Sequence, residues 1–478
     1  MRRAALLVAA LLAGCTVGPN YRRPDIPVPP DFRGQAGDAP VSAASLGTLA
    51  WWEIFQDETL HALIRTALAE NYDVRVAAAR ILDARTQVTI ARSYQLPTLG
   101  ATATAPYVRT TGDRAPAPTI QERQTFAPLA TLDLFWEIDL WGRLRRATEA
   151  ARAELLASED VQGAVITSLV SDVATAYFEL RELDLELEIA TRTLASRQDA
   201  LRLVTLRQEG GVAALIDVRQ AEVLLYTAAE TIPDVQRRIE QTENFISVLL
   251  GRNPHAIPRG RPLLTQVALP RVPAGLPSAL LERRPDIRQA ESQLAAATAR
   301  IGVAKADYFP RVMLTGSGGA GGVAINGSWF GPTGVFAIGP QITLPIFSWG
   351  RIKAGVKSAE ARAQEGLVRY QQTIQQAFRE VSDALVEHRK RGEFRVQQEL
   401  LVTSLRDAAR LANIRYRGGV TSYLEVLDTE RQLFDAELAL AQAQRDELVA
   451  VVRLYRALGG GWDRSPTPAP ASASTRAR

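Results

Sequence analysis

Thiol chemistry is almost missing from this chain: of 478 residues, one is a cysteine, Cys15. A lone thiol closes no intrachain disulfide and forms no cysteine cluster for a metal. Histidine is nearly as scarce. His61, His255 and His388 are far apart in sequence, so the residues predict no metal site, no cofactor and no enzyme. Phosphate cradles of the Gly-x4-Gly-Lys-Ser/Thr type do not occur, which excludes direct coupling to a nucleotide. A Gly-x-Ser-x-Gly elbow is missing as well. Gly316-Ser317-Gly318-Gly319 comes near it, but it reads as a flexible extracellular Gly-rich hairpin loop with no histidine close by. Charge of one sign is lacking too: 56 Lys+Arg nearly cancel 52 Asp+Glu. With no basic cluster or aromatic-basic platform, nucleic acid is not an expected partner. Beyond the first residues, no run approaches the roughly 20 consecutive apolar residues of a membrane helix. Anything here that spans a membrane must do so as a closed β-barrel, the other structure that satisfies its backbone in lipid.

What is present begins at the amino terminus. Arg2 and Arg3 precede an apolar run from Ala4 to Leu12, and Ala13-Gly14-Cys15 follows. A charged stretch, a short apolar stretch and small residues at a cleavage point form a secretory signal, residues 1–14. Leu12-Ala13-Gly14-Cys15 resembles a bacterial lipobox, in which the thiol is acylated and becomes the first mature residue. An ordinary cleavage site beside an incidental cysteine is the alternative, but a sole cysteine in an exported chain has no disulfide to make. Thr16, not Asp, follows it, so nothing holds the protein in the inner membrane. The expectation is an outer-membrane protein with a covalent lipid on Cys15 and a lipid-anchored, Pro-rich extension over 15–50.

The rest of the chain is written twice. Asn71-Tyr72-Asp73-Val74-Arg75 matches Arg284-Pro285-Asp286-Ile287-Arg288, and Pro97 matches Pro310, both at an offset of 213. Trp141-Gly142-Arg143 matches Trp349-Gly350-Arg351, and Gly210-Gly211-Val212 matches Gly418-Gly419-Val420, both at 208. Ordered landmarks with one length change define two repeats, 51–255 and 277–461, before a disordered tail, 462–478. Each repeat reads helix, strand, strand, helix, turn, helix. Helical spacing over 57–95 (Leu60, Leu63, Ile64, Leu68) stops at Pro97. Two-residue alternation then predicts strands at about 98–110 and 125–140, and at about 311–323 and 334–347 in the second repeat. In Leu129–Leu140, apolar Leu132, Leu134, Trp136 and Ile138 alternate with Asp133, Glu137 and Asp139. A barrel strand and a sandwich strand alternate alike, and flanking aromatics such as Tyr94, Trp136, Phe347 and Trp349 suit either interfacial girdles or ordinary packing.

The helical segments discriminate. Leu144–Glu209 and Ile352–Arg417 contain no proline, and apolar residues recur every three or four positions. Each would be roughly 95–100 Å long at 1.5 Å per residue, the length of coiled-coil helices rather than globular ones. Each ends at Gly-Gly-Val, followed by a return helix (Asp217–Leu250, Glu425–Leu458), so two long hairpins with tip turns at Gly210-Gly211 and Gly418-Gly419 are expected. A soluble periplasmic coiled-coil scaffold is the competing reading, but it leaves the strands and Cys15 unused.

Leu281-Glu-Arg-Arg-Pro-Asp-Ile-Arg-Gln-Ala-Glu291, and Tyr416-Arg-Gly-Gly-Val-Thr-Ser-Tyr-Leu-Glu-Val-Leu-Asp428, with their order and duplication, resemble the TolC-like outer-membrane factor family, in its NodT/OprM-type lipoprotein branch. The resemblance runs from Cys15 to about Gly461. It implies a mixed α+β membrane protein: a homotrimer whose four strands per protomer close one β-barrel in outer-membrane lipid, continued into the periplasm by a long α-helical barrel. It implies a passive exit duct for drugs or other toxic small molecules. Drive would come from an inner-membrane RND- or MFS-type pump joined through a periplasmic adaptor, a membrane fusion protein. A duct for type I protein secretion is the alternative within the same family. The periplasmic end of such a duct must close. Glu425 and Asp428, three residues apart, share one face of the return helix, and three-fold symmetry would make each a ring of carboxylates. Arg415 and Arg431 are near enough in sequence to compensate them. By resemblance, Asp428 matches the family's ring aspartate, Glu425 stands where one subgroup has a second aspartate, and Tyr416 and Asp217 match further gate positions. The subgroup's partner arginine falls on Thr421, so a hydrogen bond or an apolar constriction at Leu424 or Leu427 is the expected substitute. Residue types alone leave open a plain solvated helix face at Glu425 and Asp428.

Overall fold

The computed structural model describes residues 16–33, 45–113, 120–266 and 275–462; the signal segment, Cys15 and the carboxy-terminal tail lie outside them. Within these residues the chain falls into two compact units. One holds Arg80–Glu159, Gln289–Gln371 and the lead up to Asp25; the other holds Ile26–Ala79, Asp160–Arg288 and the chain from Gln372. Each unit draws on both repeats, because neither repeat can cover its own apolar surface.

The first repeat opens with helices α1 (Glu58–Glu70) and α2 (Tyr72–Ser93). The helical spacing over 57–95 is therefore interrupted, and Asn71 is the reason. Its side-chain oxygen accepts from the backbone N–H of Asp73 at 2.8 Å and Val74 at 3.2 Å, starting a new helix, while its amide donates to the Leu249 carbonyl at 2.9 Å. Arg284 stands at the matching position of the second repeat, between α5 (Pro277–Arg283) and α6 (Pro285–Ala306). Its guanidinium bonds Asp286, Glu380 and the Ala457 carbonyl.

Strands β1 (Thr98–Thr104) and β2 (Tyr107–Asp113) run as one edge broken at Ala105-Pro106. Strands β3 (Ile120–Phe126) and β4 (Leu129–Ile138) are broken at the facing Ala127-Pro128. Proline has no N–H for the ladder, and these two strands split where Pro106 and Pro128 fall in facing positions. The second repeat contributes β5 (Arg311–Ile325) and β6 (Ser328–Thr343), unbroken. β1 and β2 pair with β4 and β3, these pair with β5, and β5 pairs with β6, all antiparallel. The result is a four-strand sheet whose outer members are β1–β2 and β6. Its polar face is visible at Asp133, whose carboxylate accepts from Thr102 at 2.7 Å and Thr131 at 3.2 Å.

The repeat is also written into register. Thr98 pairs with Phe135 and Arg311 with Thr343. Shifting the first member of the earlier pair by 213 and the second by 208, the two sequence offsets, yields the later pair. One reading from sequence needs correction here. Gly316-Ser317-Gly318-Gly319 is not a loop but the middle of β5, with Ser317 opposite Asp133 on one side and Ala337 on the other. At Gly319 a neighbour approaches closely, since a Cβ there would lie 2.0 Å from the Ala130 carbonyl oxygen, whereas Gly316 and Gly318 would meet only ordinary contacts. The hairpin turn is instead Asn326-Gly327, both at positive φ, the two-residue turn that suits strand twist.

The lead lies along the first unit. The Val17 N–H donates to the Trp141 carbonyl at 3.0 Å, Arg146 reaches the Val17 and Gly18 carbonyls, and Arg23 pairs with Glu291 at 2.6 Å. The second unit is helical. The 67-residue helices α3 (Arg143–Glu209) and α7 (Arg351–Arg417), which belong to it from Asp160 and Gln372 onward, return as 35-residue α4 (Leu215–Leu249) and α8 (Tyr423–Ala457). Its core includes Leu60, Ile64, Tyr177, Leu180, Leu183, Ile246 and Tyr455, all fully buried.

Candidate functional site: the ends of the helical hairpins

Both hairpins turn by the same local device. The Val212 N–H bonds the Arg207 carbonyl at 2.8 Å and Gly211 N–H bonds Gln208 at 2.9 Å; Val420 to Arg415 and Gly419 to Tyr416 repeat it, both at 3.0 Å. This pair of bonds caps the last carbonyls of a helix and needs a left-handed residue between them. Gly211 and Gly419 supply it, at φ of 75° and 73°. Gly210 and Gly418 precede them and bond back to Leu206 and Ile414.

Below the turns the two hairpins share an apolar cluster of Val204 from α3, Val218 and Ala221 from α4, Ala412 and Tyr416 from α7, and Tyr423 and Val426 from α8. Tyr416 lies 5.2 Å from the Tyr423 ring, and the Arg207 guanidinium sits 4.6 Å over its face while donating to its carbonyl. This puts a cation from the first hairpin on an aromatic ring of the second, a contact that the sequence analysis did not single out. Among the described residues, the Tyr416 hydroxyl has no hydrogen-bond partner. Burial raises its phenol above the usual value, Arg207 opposes that, and nearby Asp217 adds to it. Tyr423 is pushed up to about 12, by burial first and then by Tyr416 and Glu430. Asp217 itself accepts from the Ala214 N–H at 3.2 Å and so caps the start of α4.

Glu425 and Asp428 both project from the first turns of α8 with their side chains half-buried. Glu425 accepts from Thr421 and stands 3.4 Å from Arg415. Asp428 is held by Arg431 at 3.0 Å and by Gln432 at 2.6 Å. Thr421, in place of an arginine, thus engages Glu425 within its own hairpin. The two leucines diverge: Leu427 packs against the shared cluster, whereas Leu424 is exposed. No group of three or more metal-ligating side chains occurs among the described residues.

Comparison with known proteins gives these hairpins a context. The profile of the family described as outer membrane efflux protein matches residues 63–252 and 276–460. The chain is 37% identical over 461 residues to the solvent efflux pump outer membrane protein SrpC of Pseudomonas putida, covering 95% of this chain and 97% of that one. It is 36% identical over 465 residues to the antibiotic efflux pump outer membrane protein ArpC of Pseudomonas putida, with 95% and 94% covered. Its fold superimposes on the open-state outer membrane channel MtrE of Neisseria gonorrhoeae with a TM-score of 0.80 at 33% identity, covering 94% of this chain and 99% of that one.

Proposed function

This chain belongs to the outer membrane efflux protein family, and from that premise we propose that three copies close into a passive duct for small organic solutes. It is an outer-membrane efflux channel and not an enzyme. In the proposed reading its cargo resembles the solvents and antibiotics for which its relatives are named. The inner-membrane pump, of RND or MFS type, supplies drive and selects the cargo through a periplasmic adaptor. Type I protein secretion is the less supported reading, since no relative quoted above is named for it.

The observation that carries the trimer is the unpaired rim of the sheet. Among the described residues β1 and β6 each lack a partner on one side, and an open edge in lipid leaves backbone groups unsatisfied. The repeat says what fits there. Within the chain, β4 of the first repeat pairs with β5 of the second, Phe135 opposite Thr315. Carried by the repeat offsets, that pair becomes Thr343 of one copy opposite Thr102 of the next. The Trp141 indole donates to the Pro310 carbonyl at 2.8 Å and stacks on Phe309 at 4.7 Å. Its counterpart Trp349 is 89% exposed, and the counterpart acceptor is the carbonyl of Pro97. Three copies with four strands each give an even, closed twelve-strand barrel.

In the same reading Cys15 carries the lipid. Thr16 is packed against Gly142, where β4 gives way to α3, which would bring an acylated neighbour to the end of the barrel. The hairpin ends are the periplasmic gate, with Asp428 and Glu425 as rings and Tyr416, Asp217, Leu424 and Leu427 behind or beside them.

A cysteine pair tests the arrangement. With Thr102→Cys and Thr343→Cys in one chain, oxidation of the detergent-extracted protein should give a ladder of cross-linked dimer and trimer. Thr102→Cys with Gln341→Cys, two residues out of register, should cross-link much less. A ladder from the second pair alone, or from neither, would refute the proposed closure.

A further inference from the structure

We infer that Glu182 and Glu186 hold one shared proton between them, and that this proton ties the return helix of the second hairpin to the first hairpin. Both residues lie on α3, four apart and therefore one turn apart on the same face. Glu182 is fully buried at 0% exposure, and Glu186 nearly so at 3%. Glu186 is well supplied: its Oε2 accepts from Arg238 of α4 at 2.9 Å and its Oε1 from Gln442 of α8 at 3.0 Å. Glu182 is not. Among the described residues neither of its oxygens accepts a hydrogen bond. The cation facing it, Arg445 of α8, is 3.7 Å away and spends its guanidinium on Asp446 at 2.8 Å. Asp446 is in turn held by Arg391 of α7 at 2.9 Å.

An ionised carboxylate cannot rest there. Stripped of water, with no donor and with an ionised neighbour one turn away, it would bear the full desolvation penalty together with like-charge repulsion. The neighbour is the answer. Glu186 lies one turn further along the same face of α3, and two carboxyl groups can bond only through a proton. Burial, then the bond and charge of Glu186, push the Glu182 carboxyl up to about 9, against smaller lowering by Arg445 and Arg238. Glu182 is therefore the proton donor and Glu186 its acceptor, held in place by Arg238 and Gln442. Because these holders come from α4 and α8, the site joins elements of both hairpins. Losing the proton would leave two buried negative charges facing Arg238 and one occupied arginine.

The sign of the pH effect follows from linkage. The folded chain binds a proton at Glu182 that the unfolded chain releases near pH 4.5, so stability falls as pH rises from about 5 to about 9 and levels above. Glu182→Gln preserves the shape and supplies a permanent donor. The full-length protein in detergent should melt at about the same temperature with or without the substitution near pH 5. The variant should gain a growing advantage up to pH 9, then hold it constant. Infrared spectra at pH 7 should contain a protonated-carboxyl band that Glu182→Gln removes and that titrates away in the wild type near pH 9. A melting-temperature difference independent of pH, or the absence of that band, would overturn the inference. Should Glu182→Gln not assemble, the wild-type infrared titration decides alone.

Discussion

Asp57 shows how much one side chain can carry in this protein. It is buried, and its Oδ2 accepts from the Tyr177 hydroxyl at 2.7 Å, the Gln266 amide at 2.8 Å and the Arg261 N–H at 2.9 Å. Its Oδ1 caps α1 by accepting from Thr59 at 2.9 Å. One carboxylate thus fastens α1, α3 and the segment between the repeats. Burial works to raise its pKa, but the bonds from Tyr177, Gln266 and the backbone outweigh it and hold the carboxyl below its usual range. A depressed acid contributes stability that is present above pH 4 and lost as pH falls through the folded value. Asp57→Ala should therefore cost on the order of 3 kcal/mol at neutral pH, with a smaller difference from wild type in strong acid. Thermal melts at several pH values would check both parts. Nothing around Asp57 in the sequence announces its tertiary role, because the partners of its Oδ2 are 120 to 209 positions away.

At the scale of elements, the hairpin turns were legible and the helix breaks were not. Gly211 and Gly419 could be placed because a long periodic helix, two glycines and a second periodic run leave only a tight turn between them. Gly419→Ala meets nothing within 4 Å, so its effect should be backbone strain alone, about 1 kcal/mol. Amide hydrogen exchange across 412–425 should speed up accordingly, while exchange in the α1 and α5 regions should not change. The break at Asn71 was hidden because apolar spacing continues through it. The cap bonds to Asp73 and Val74 and the tertiary bond from its amide to Leu249 distinguish Asn71 from an interior asparagine. The glycines of β5 misled for a related reason. In sequence they look like a loop, and only the close pass of Ala130 explains Gly319 inside a paired strand.

For the whole molecule, the proposed gate is a property that one chain cannot display. Asp428 and Glu425 are each compensated inside their own hairpin, by Arg431 with Gln432 and by Arg415 with Thr421. In the proposed trimer, a ring of three would therefore start with part of its charge already met. In a planar bilayer the trimer should conduct weakly, prefer cations, and be blocked by divalent or trivalent cations from the periplasmic side. Asp428→Ala should weaken that block, and adding Glu425→Ala should weaken it further and reduce cation preference. Glu222, already paired with Arg219 at 2.8 Å on α4, should matter less when replaced by alanine. Wild-type block in the double variant would move the gate to exposed Leu424 or to the Arg207–Tyr416 contact.

Periodicity, repetition and the residues at turns are local or regularly spaced, so the chain by itself determined the duplicated plan, the long hairpins, the paired strands and the hairpin ends as the place to look. Packing against distant segments leaves no local trace, and there the tertiary structure alone decided. It brought Arg207 onto Tyr416, joined α1 to the inter-repeat segment through Asp57, and left Glu182 without a donor beside Glu186. Each depends on which faces meet, and that is set by burying apolar surface across the whole helical unit, not by spacing along one helix.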